Sequence, residues 1–531
     1  LSVLQRALDL IEAREGYRPD LDTLGWDDEA VYALLQKGDT VGVFQMESEG
    51  MRRALGSVRP SNFGDIIAIG ALYRPGPMDN IPLFADRKNG RVKIEYPHAL
   101  LEDVLGETYG VIVYQEQVMK AAQVLAGYSL GDADLLRRAM GKKIQKEMDA
   151  QRAGFVDGCG RNNIDRKKAN ELFDLIDKFA NYGFNKSHAA AYAVLTYQTA
   201  WVKTHYPQDF YAASMAFDLG NTDKLAIFAD DMRRMGVACL PPCINGSSSD
   251  FTVEVYGEGL AVRFALGALK GVGEGAMEML CAERTEKGAF ATLDDLANRI
   301  NPRLLNKRQI ESLAGSGALD ALNDNRAGCF AVAETLLAVA SQAEYGRTSG
   351  QGGLFGEGEA SVVSIQLPGS AKWSMAERMT AEKEAFGFYF SAHPVDRYKH
   401  VAGAHGARSF VALVGNGGEG RTSATMAALV EEARWRTSKK GNRFLSATLS
   451  DESGQFQANC FDDDACVALE ELGRNGGCAL LKVELERQPG EETPRVTVRS
   501  AQRLDALAGS ARLNAVVSVD NIAGVAGLAE S

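Results

Sequence analysis

Residues 182–192 read Tyr-Gly-Phe-Asn-Lys-Ser-His-Ala-Ala-Ala-Tyr, and a helix is predicted to begin inside this stretch. Asn185 has a side chain that is preferred at a helix N-cap. The first turn of a helix leaves backbone N–H groups free, so Lys186 and His188 beside them favour a phosphate site. The pattern leaves one alternative open, which is a core helix whose polar face is solvated.

The periodicity of the next residues gives this helix two faces. At about 100° per residue, one narrow arc holds polar side chains, namely His188, Tyr192, Thr196, Thr199 and Lys203. The opposite side holds Ala191, Val194, Leu195 and Val202. We therefore expect the apolar side to pack and the polar arc to face solvent or a ligand.

Outward from this helix, the sequence divides into five parts. Residues 1–230 have helical periodicity, and 231–325 combine a short strand, a glycine-rich turn and short helices. Residues 326–419 hold one amphipathic helix, expected over 326–344, and a Gly- and Ser-rich linker. Five short strands within 420–505 predict a small β-barrel, and 506–531 form a tail. The predicted fold class is multidomain, with a mostly α domain, a helix-hairpin-helix domain and an all-β OB-fold barrel.

Composition sets the broad class of the protein. A chain of 531 residues with 45% hydrophobic and 24% charged residues is typical of a globular protein with about three or four domains. That excludes a disordered chain, a collagen and a small disulfide scaffold. Eight scattered cysteines favour reduced thiols and a cytoplasmic location, and no apolar run approaches the roughly 18 residues of a membrane span. The opening Leu1-Ser2, without an initiator methionine, indicates a fragment of a longer protein.

Cations cluster locally although the net charge is −12. The segment from Arg137 to Lys146 has five cations and no acid, a pattern that neutralises DNA phosphates; a solvated basic face is the alternative. The turn Lys270-Gly271-Val272-Gly273 resembles that of a helix-hairpin-helix, whose glycines let backbone N–H groups approach a phosphate. A plain interhelical turn remains open there.

Two further segments indicate binding. Cations and aromatic residues alternate along one predicted β-hairpin, as in OB-folds that bind single strands, and they are Arg434, Trp435, Arg436, Lys439, Lys440, Arg443 and Phe444. The linker island Gln351-Gly-Gly-Leu354-Phe355 exposes two apolar side chains that can fill a pocket on a partner. Motifs of common enzyme classes do not stand out, and Asp462–Asp464 are expected to form a solvated turn.

Together these motifs resemble the α subunit of bacterial DNA polymerase III, a family-C replicative polymerase. The resemblance runs from residue 1 to about 505 and rests on motifs in the family's order: Val43–Ser48, Arg74–Pro77, Tyr114–Met119, Leu136–Lys143, Tyr182–Tyr192, Lys270–Gly273, Gln351–Phe355 and Thr437–Arg443.

The resemblance implies a role for each part of the chain. Residues 1–230 would be the fingers, with Lys186, Ser187, His188 and the less certain Arg74 on the dNTP phosphates. Contacts to template-primer DNA would come from Arg137, Arg138, Lys142, Lys143, Lys270, Gly271 and Gly273, and single strands would bind the barrel. Gln351, Leu354 and Phe355 would bind the β sliding clamp. The tail is truncated after 506, which makes binding of the clamp-loader τ subunit doubtful.

The resemblance also implies what this chain lacks. Mg²⁺ would be held by palm aspartates upstream of residue 1, so no catalytic residue or metal ligand is assigned here. The chain is expected to bind DNA without polymerising it, and the proofreading exonuclease subunit would bind the missing amino-terminal region. Two alternatives stay open: an error-prone family-C paralogue, or a non-catalytic nucleic-acid-binding scaffold that uses an OB-fold.

Overall fold

The computed structural model describes residues 1–142, 145–180, 183–349, 364–415, 420–437, 441, 443–487 and 494–510. The chain forms two compact units: one comprises Leu1–Trp373 with Glu384–Phe388, and the other comprises Ser374–Lys383 with the residues from Tyr389 on. In the ranges that the structure describes, no helix combines the length and apolar character needed to cross a bilayer.

The amino-terminal part of the first unit is helical, as the sequence predicts. Its helices are α1 (Ser2–Glu15), α2 (Glu29–Lys37), α3 (Glu49–Val58), α4 (Phe63–Leu72), α5 (Ile81–Lys88), α6 (Glu102–Leu105), α7 (Gln115–Ala126), α8 (Leu130–Lys142), α9 (Gln145–Arg161), α10 (Arg166–Ala180), α11 (Lys186–His205), α12 (Pro207–Ala216) and α13 (Thr222–Arg234). Side-chain caps fix several starts: Ser48 accepts from the Met51 N–H, and Asn62 accepts from the Asp65 N–H.

These helices enclose two apolar cores. The first joins α2 to α5 with α11, and the second joins α6 to α10. α7 lies between the two, because Tyr114 just before it belongs to the first core whereas Val118 and Leu125 belong to the second. This arrangement brings the start of α11 against the start of α7.

Three of the five residues in the polar arc of α11 pack against the protein, which corrects the expectation that this arc faces solvent or a ligand. Thr196, Thr199 and Lys203 are buried, whereas His188 and Tyr192 at the amino-terminal end are exposed. Thr196 Oγ1 donates to the Phe44 carbonyl at 3.1 Å, and Thr199 Oγ1 accepts from the Phe44 N–H at 3.1 Å. The arc therefore packs by forming hydrogen bonds with an irregular backbone segment, and only its first turns are exposed to solvent.

The rest of the first unit combines a small sheet with helices. The sheet has the order β1-β3-β2, formed by β1 (Ala238–Leu240), β2 (Thr252–Tyr256) and β3 (Gly259–Arg263). The helices that follow are α14 (Glu274–Lys287), α15 (Leu293–Arg299), α16 (Lys307–Ser316), α17 (Arg326–Ala331) and α18 (Ala333–Ser349). The single helix expected over 326–344 is thus two helices that meet at Val332, and α18 extends into the predicted linker.

The last part of the chain forms the predicted barrel. Its strands are β4 (Gly420–Thr437), β5 (Arg443–Asp451), β6 (Gly454–Cys460), β7 (Cys478–Arg487) and β8 (Arg495–Arg503). They close in the order β4-β5-β6-β8-β7, which agrees with the predicted five-stranded OB-fold. The helices are α19 (Met375–Phe386), α20 (Lys399–Ala404), α21 (Phe410–Gly415), α22 (Asp463–Asn475) and α23 (Leu504–Ser510).

The acidic run at 462–464 begins a helix, so the expected solvated turn is wrong. Asp462 accepts a hydrogen bond from the Ala465 N–H at 3.0 Å as the N-cap of α22. Asp463 and Asp464 follow in the first turn, where the helix dipole favours negative charge. The run is therefore explained by the start of a helix that packs against the barrel through Leu469 and Leu472.

Candidate nucleic-acid interface

The start of α11 has the cap that the sequence predicts. Asn185 Oδ1 accepts a hydrogen bond from the His188 N–H at 2.8 Å. Lys186 is half-buried, and the side chains of Ser187 and His188 are exposed. The three predicted phosphate ligands thus share one helical turn at the surface.

Two carboxylates already neutralise this helix start. Both oxygens of Glu116, on α7, accept from the Lys186 N–H at 3.0 Å, and Oε1 also accepts from Asn185 Nδ2 at 2.7 Å. Lys186 Nζ forms an ion pair with Glu107 at 2.6 Å and lies 5.5 Å from the centre of the Tyr114 ring. Acids occupy the positions where the sequence predicts phosphate, so an incoming anion would have to replace them.

A cleft of about 320 Å³ opens on another side of the same turn. Its lining includes Arg74, Phe184, His188 and Tyr192, whereas Lys186 and Ser187 are not part of it. Aromatic rings build the wall: His188 lies 5.4 Å from Phe184 and 4.6 Å from Tyr192, centre to centre, and Tyr192 stacks on Phe44 at 5.9 Å. The structure therefore brings Arg74 and His188 together in an aromatic cleft, whereas Lys186 lies outside its lining.

Arg74 reaches the cleft from the turn after α4. Its guanidinium lies 4.2 Å from the centre of the Phe184 ring, and its Nε donates to the Ala71 carbonyl at 3.0 Å. Burial lowers the pKa of this guanidinium from its ordinary value, although arginine keeps its charge in proteins. A fixed positive charge thus sits on an aromatic surface beside His188.

The predicted basic segment on α8 has an acidic neighbour. Arg137 Nη2 and Arg138 Nε each lie 2.8 Å from a carboxylate oxygen of Asp134, one turn earlier. The hydrogen bond from Arg137 in particular holds the pKa of Asp134 below its usual value. The side chain of Lys142 and all of Lys143 lie outside the described residues. The two arginines are therefore partly neutralised, which the count of five cations without an acid did not anticipate.

The glycine turn before α14 has the backbone that a phosphate contact needs. Gly271 and Gly273 have φ of 78° and 85°, a region that other residues adopt only with strain. Both are exposed, as is Lys270. The turn is braced from α16, because Gln309 Nε2 donates to the Val272 carbonyl and Ser312 Oγ donates to the Lys270 carbonyl at 3.2 Å. The predicted DNA-contact turn is thus open to solvent on a fixed base.

The barrel hairpin places its cations on two faces. In the β4–β5 register, Arg436 lies opposite Phe444 and Trp435 lies opposite Leu445, and directly opposed residues share a face. On the Trp435 face, the Arg443 guanidinium lies 5.0 Å from the indole centre, and Trp435 Nε1 donates to Glu470 at 3.2 Å. Intramolecular partners therefore already engage Trp435 and Arg443.

The other face of the hairpin carries an open aromatic pair. Phe444 stacks on Phe461, with ring centres 5.5 Å apart and planes 27° apart, and Phe461 is 57% exposed. Arg434 and Arg436 share this face, and Arg434 pairs with Glu432. Sequence analysis missed Phe461, because only the register shows that the residue after β6 meets the hairpin.

Several predicted residues lie outside the described part of the chain. They are Lys143 in the basic segment, the clamp-binding residues Gln351, Leu354 and Phe355, and the hairpin residues Lys439 and Lys440. Within the described ranges, no three His, Cys, Asp or Glu side chains converge as metal ligands would.

Comparison with known proteins identifies the family. A sequence model of the bacterial DNA polymerase III alpha subunit finger domain matches residues 1–163, and one of the helix-hairpin-helix motif matches residues 236–329. A DNA polymerase III subunit alpha of Caulobacter vibrioides is 44% identical over 491 residues, covering 92% of this chain and 42% of the relative. The chain belongs to the bacterial DNA polymerase III α-subunit family.

Other members of the family give the same picture. The subunit alpha of Pseudomonas aeruginosa is 39% identical over 517 residues, and that of Haemophilus influenzae is 42% identical over 486 residues. These matches cover 92% and 89% of this chain and 43% and 41% of the relatives. The chain thus spans about two fifths of the length of its curated relatives. The family resemblance is confirmed, whereas the division into five domains stays a prediction.

Proposed function

We propose that this chain is the nucleotide-handling and DNA-holding part of a replicative DNA-directed DNA polymerase. The observation that carries the proposal is the start of α11, where Lys186, Ser187 and His188 lie beside an aromatic cleft that also holds Arg74. A helix start with fixed positive charges suits a triphosphate. The aromatic walls of the cleft suit a base or sugar.

Triphosphate binding would proceed by exchange of anions. Glu107 would release Lys186 Nζ, and Glu116 would release the Lys186 N–H, because a carboxylate and a phosphate at the same position repel each other. Arg74 and His188 would then meet the nucleotide from the cleft side. The first exchange costs little, since an exposed ion pair contributes about 0–1 kcal/mol. The second replaces one charge-assisted hydrogen bond to the helix start with another.

Replacing Lys186 by glutamine is expected to lower deoxynucleoside triphosphate affinity about tenfold, since a hydrogen bond to a charged group contributes about 1.5–3 kcal/mol. Isothermal titration calorimetry, in which the nucleotide is titrated into the 531-residue chain with primed DNA, measures this affinity. Glu107→Gln is the matched control: it removes the competing acid and should raise the affinity a few-fold. Unchanged affinity in Lys186→Gln would exclude Lys186 from the site.

We further propose that the barrel binds single-stranded DNA through Phe444 and Phe461. Replacing both by alanine should weaken binding about tenfold or more, because a base stacked on an aromatic ring contributes about 1–3 kcal/mol. Fluorescence anisotropy with a labelled oligothymidylate measures this loss. Phe217→Ala, at an aromatic residue that is 56% exposed in the other unit, should leave binding unchanged. An equal loss in Phe217→Ala would show a non-specific effect.

The remaining roles follow from the family. The turn at Lys270, Gly271 and Gly273 would hold duplex DNA by its backbone, and the sliding clamp would bind at 351–355. Phosphoryl transfer in such polymerases uses Mg²⁺. That the 531 residues alone do not polymerise also stays a prediction, which a primed-template extension assay tests.

A further inference from the structure

A second basic surface lies where α9 meets α10. Three of its cations, Arg161, Arg166 and Lys167, are exposed, and none of them forms an ion pair within the described residues. Lys168 beside them pairs with Glu171 at 3.5 Å. We call Arg161 to Lys168 the basic turn. It contrasts with the α8 arginines, which share Asp134.

The basic turn is held rigidly. Asn162 Nδ2 donates to the Val124 and Leu125 carbonyls at 3.3 and 3.0 Å, at the end of α7. Ile164 is buried in the core of the α7–α10 bundle. The Asp165 carboxylate caps α10 by accepting from the Lys168 N–H at 3.0 Å. The nearest acid in sequence is therefore engaged with backbone, and the cations project from a fixed base.

Arg161, in the last turn of α9, suits the dipole of its helix, but the cations at the start of α10 do not. The first turn of α10 contains Arg166, Lys167 and Lys168 and no acid. Positive charge at this end of a helix opposes the helix dipole. A local rule broken without a structural gain is typical of a functional surface.

The chemistry of the surface favours a phosphate backbone over an acidic protein. Its exposed residues are all polar or charged, and the only apolar residue of the turn, Ile164, is buried. Protein interfaces depend on apolar or aromatic anchors at their centre. Contacts to phosphates, in contrast, come from Arg, Lys and Asn side chains without an apolar core.

The position of the turn agrees with such a ligand. Glu116, in the first turn of α7, contacts the start of α11, and Leu125, in its last turn, contacts Asn162. Nine residues of helix separate these contacts by about 14 Å along the axis of α7, at 1.5 Å per residue. A strand that reaches the start of α11 would reach the basic turn within a few nucleotides. We therefore infer that the basic turn binds the phosphate backbone of the DNA on which the proposed polymerase site acts.

The test measures binding of the whole chain to primed DNA by fluorescence anisotropy from 50 to 200 mM salt. Replacing Arg161, Arg166 and Lys167 by glutamine should reduce the magnitude of the slope of log K against log salt by about two to three, since each phosphate contact contributes about 0.9. The charge-preserving variant R161K/R166K/K167R should keep the slope. Thermal melting of each variant confirms that it is folded.

A matched control removes three cations elsewhere. Lys37, Lys224 and Arg233, on α2 and α13, are replaced by glutamine, and the slope should change by less than one. An unchanged slope in the basic-turn variant would overturn the inference, and so would an equal change in the control. The inference would also be overturned if the basic-turn substitutions weakened binding of polyglutamate but not of DNA, because that result would indicate an acidic protein partner. The inference rests on the proposed function, but wild-type chain that binds no DNA would refute the function itself.

Discussion

Replacing Lys203 by methionine is expected to destabilise the α11–α13 region by about 3 kcal/mol, the lower end of the range for breaking a buried ion pair. The Lys203 side chain is fully buried, and its Nζ lies 2.7 Å from Asp231 and 2.9 Å from the Val41 carbonyl. Methionine fills a similar volume but leaves the Asp231 carboxylate buried without one of its two cations. Tyr211 and Arg234 still donate to Asp231, which is why the loss should not reach the upper end.

Hydrogen–deuterium exchange measures this change locally. Peptides from α11 and α13 should exchange faster in the variant, whereas peptides from β5 and β6 of the barrel serve as an internal reference. Lys224→Met is the control, because Lys224 is partly exposed and its ion pair with Glu47 is long, at 3.8 Å. This substitution should change the stability by less than about 1 kcal/mol. Equal protection in Lys203→Met and wild type would show that the buried pair contributes nothing.

The effect should also depend on pH. Burial alone would raise the pKa of Asp231, but the charge and hydrogen bond of Lys203, with Tyr211 and Arg234, hold it below its ordinary value of 3.8. Burial lowers the pKa of Lys203, so the environment disfavours the charged lysine although it favours the ionised aspartate. A carboxyl group whose pKa is lower in the folded chain than in the unfolded chain stabilises the fold at pH values above its unfolded pKa. This contribution is lost as the pH falls below about 4. The difference between wild type and Lys203→Met should therefore shrink in acid.

Lys203 also shows what periodicity predicts and what it cannot. The 100° period located α11 and its N-cap Asn185, because both depend on residues close together in sequence. It assigned Thr196, Thr199 and Lys203 to a polar face, but whether that face is solvated depends on which chain segment packs there. Here the irregular Val41–Phe44 segment presents two carbonyls and one N–H group, which only polar side chains can bind.

The same limit applies to the candidate site. The cations were visible in the sequence, yet their partners Glu107, Glu116 and Asp134 lie on separate helices or one helical turn away. The hairpin cations of the barrel were predicted as one group, whereas strand pleating places Trp435 and Phe444 on opposite faces. The sequence thus shows where charged side chains are, but whether they are available to a ligand depends on their tertiary contacts.

Replacing Gly158 by alanine is expected to destabilise the α7–α10 bundle by about 3 kcal/mol, at the upper end for overpacking. A Cβ at this position would lie 2.9 Å from both the carbonyl carbon and the Cβ of Ala126, and closer still to the carbonyl oxygen. The obstacle is backbone at the end of α7, which cannot rotate away as a side chain can. α9 would have to move outward, opening the core around Phe155 and Cys159.

Gly160 provides a control on the same helix. No atom lies within 4 Å of a Cβ built there, so Gly160→Ala should be neutral or stabilise by up to about 1 kcal/mol, as alanine does in helices. Thermal melting and exchange of α7 and α9 peptides compare the two variants. Since Arg161 ends α9, a displaced α9 would also move one cation of the basic turn, and Gly158→Ala should weaken DNA binding more than Gly160→Ala. Equal stability of the two variants would show that α7 and α9 do not pack at this distance.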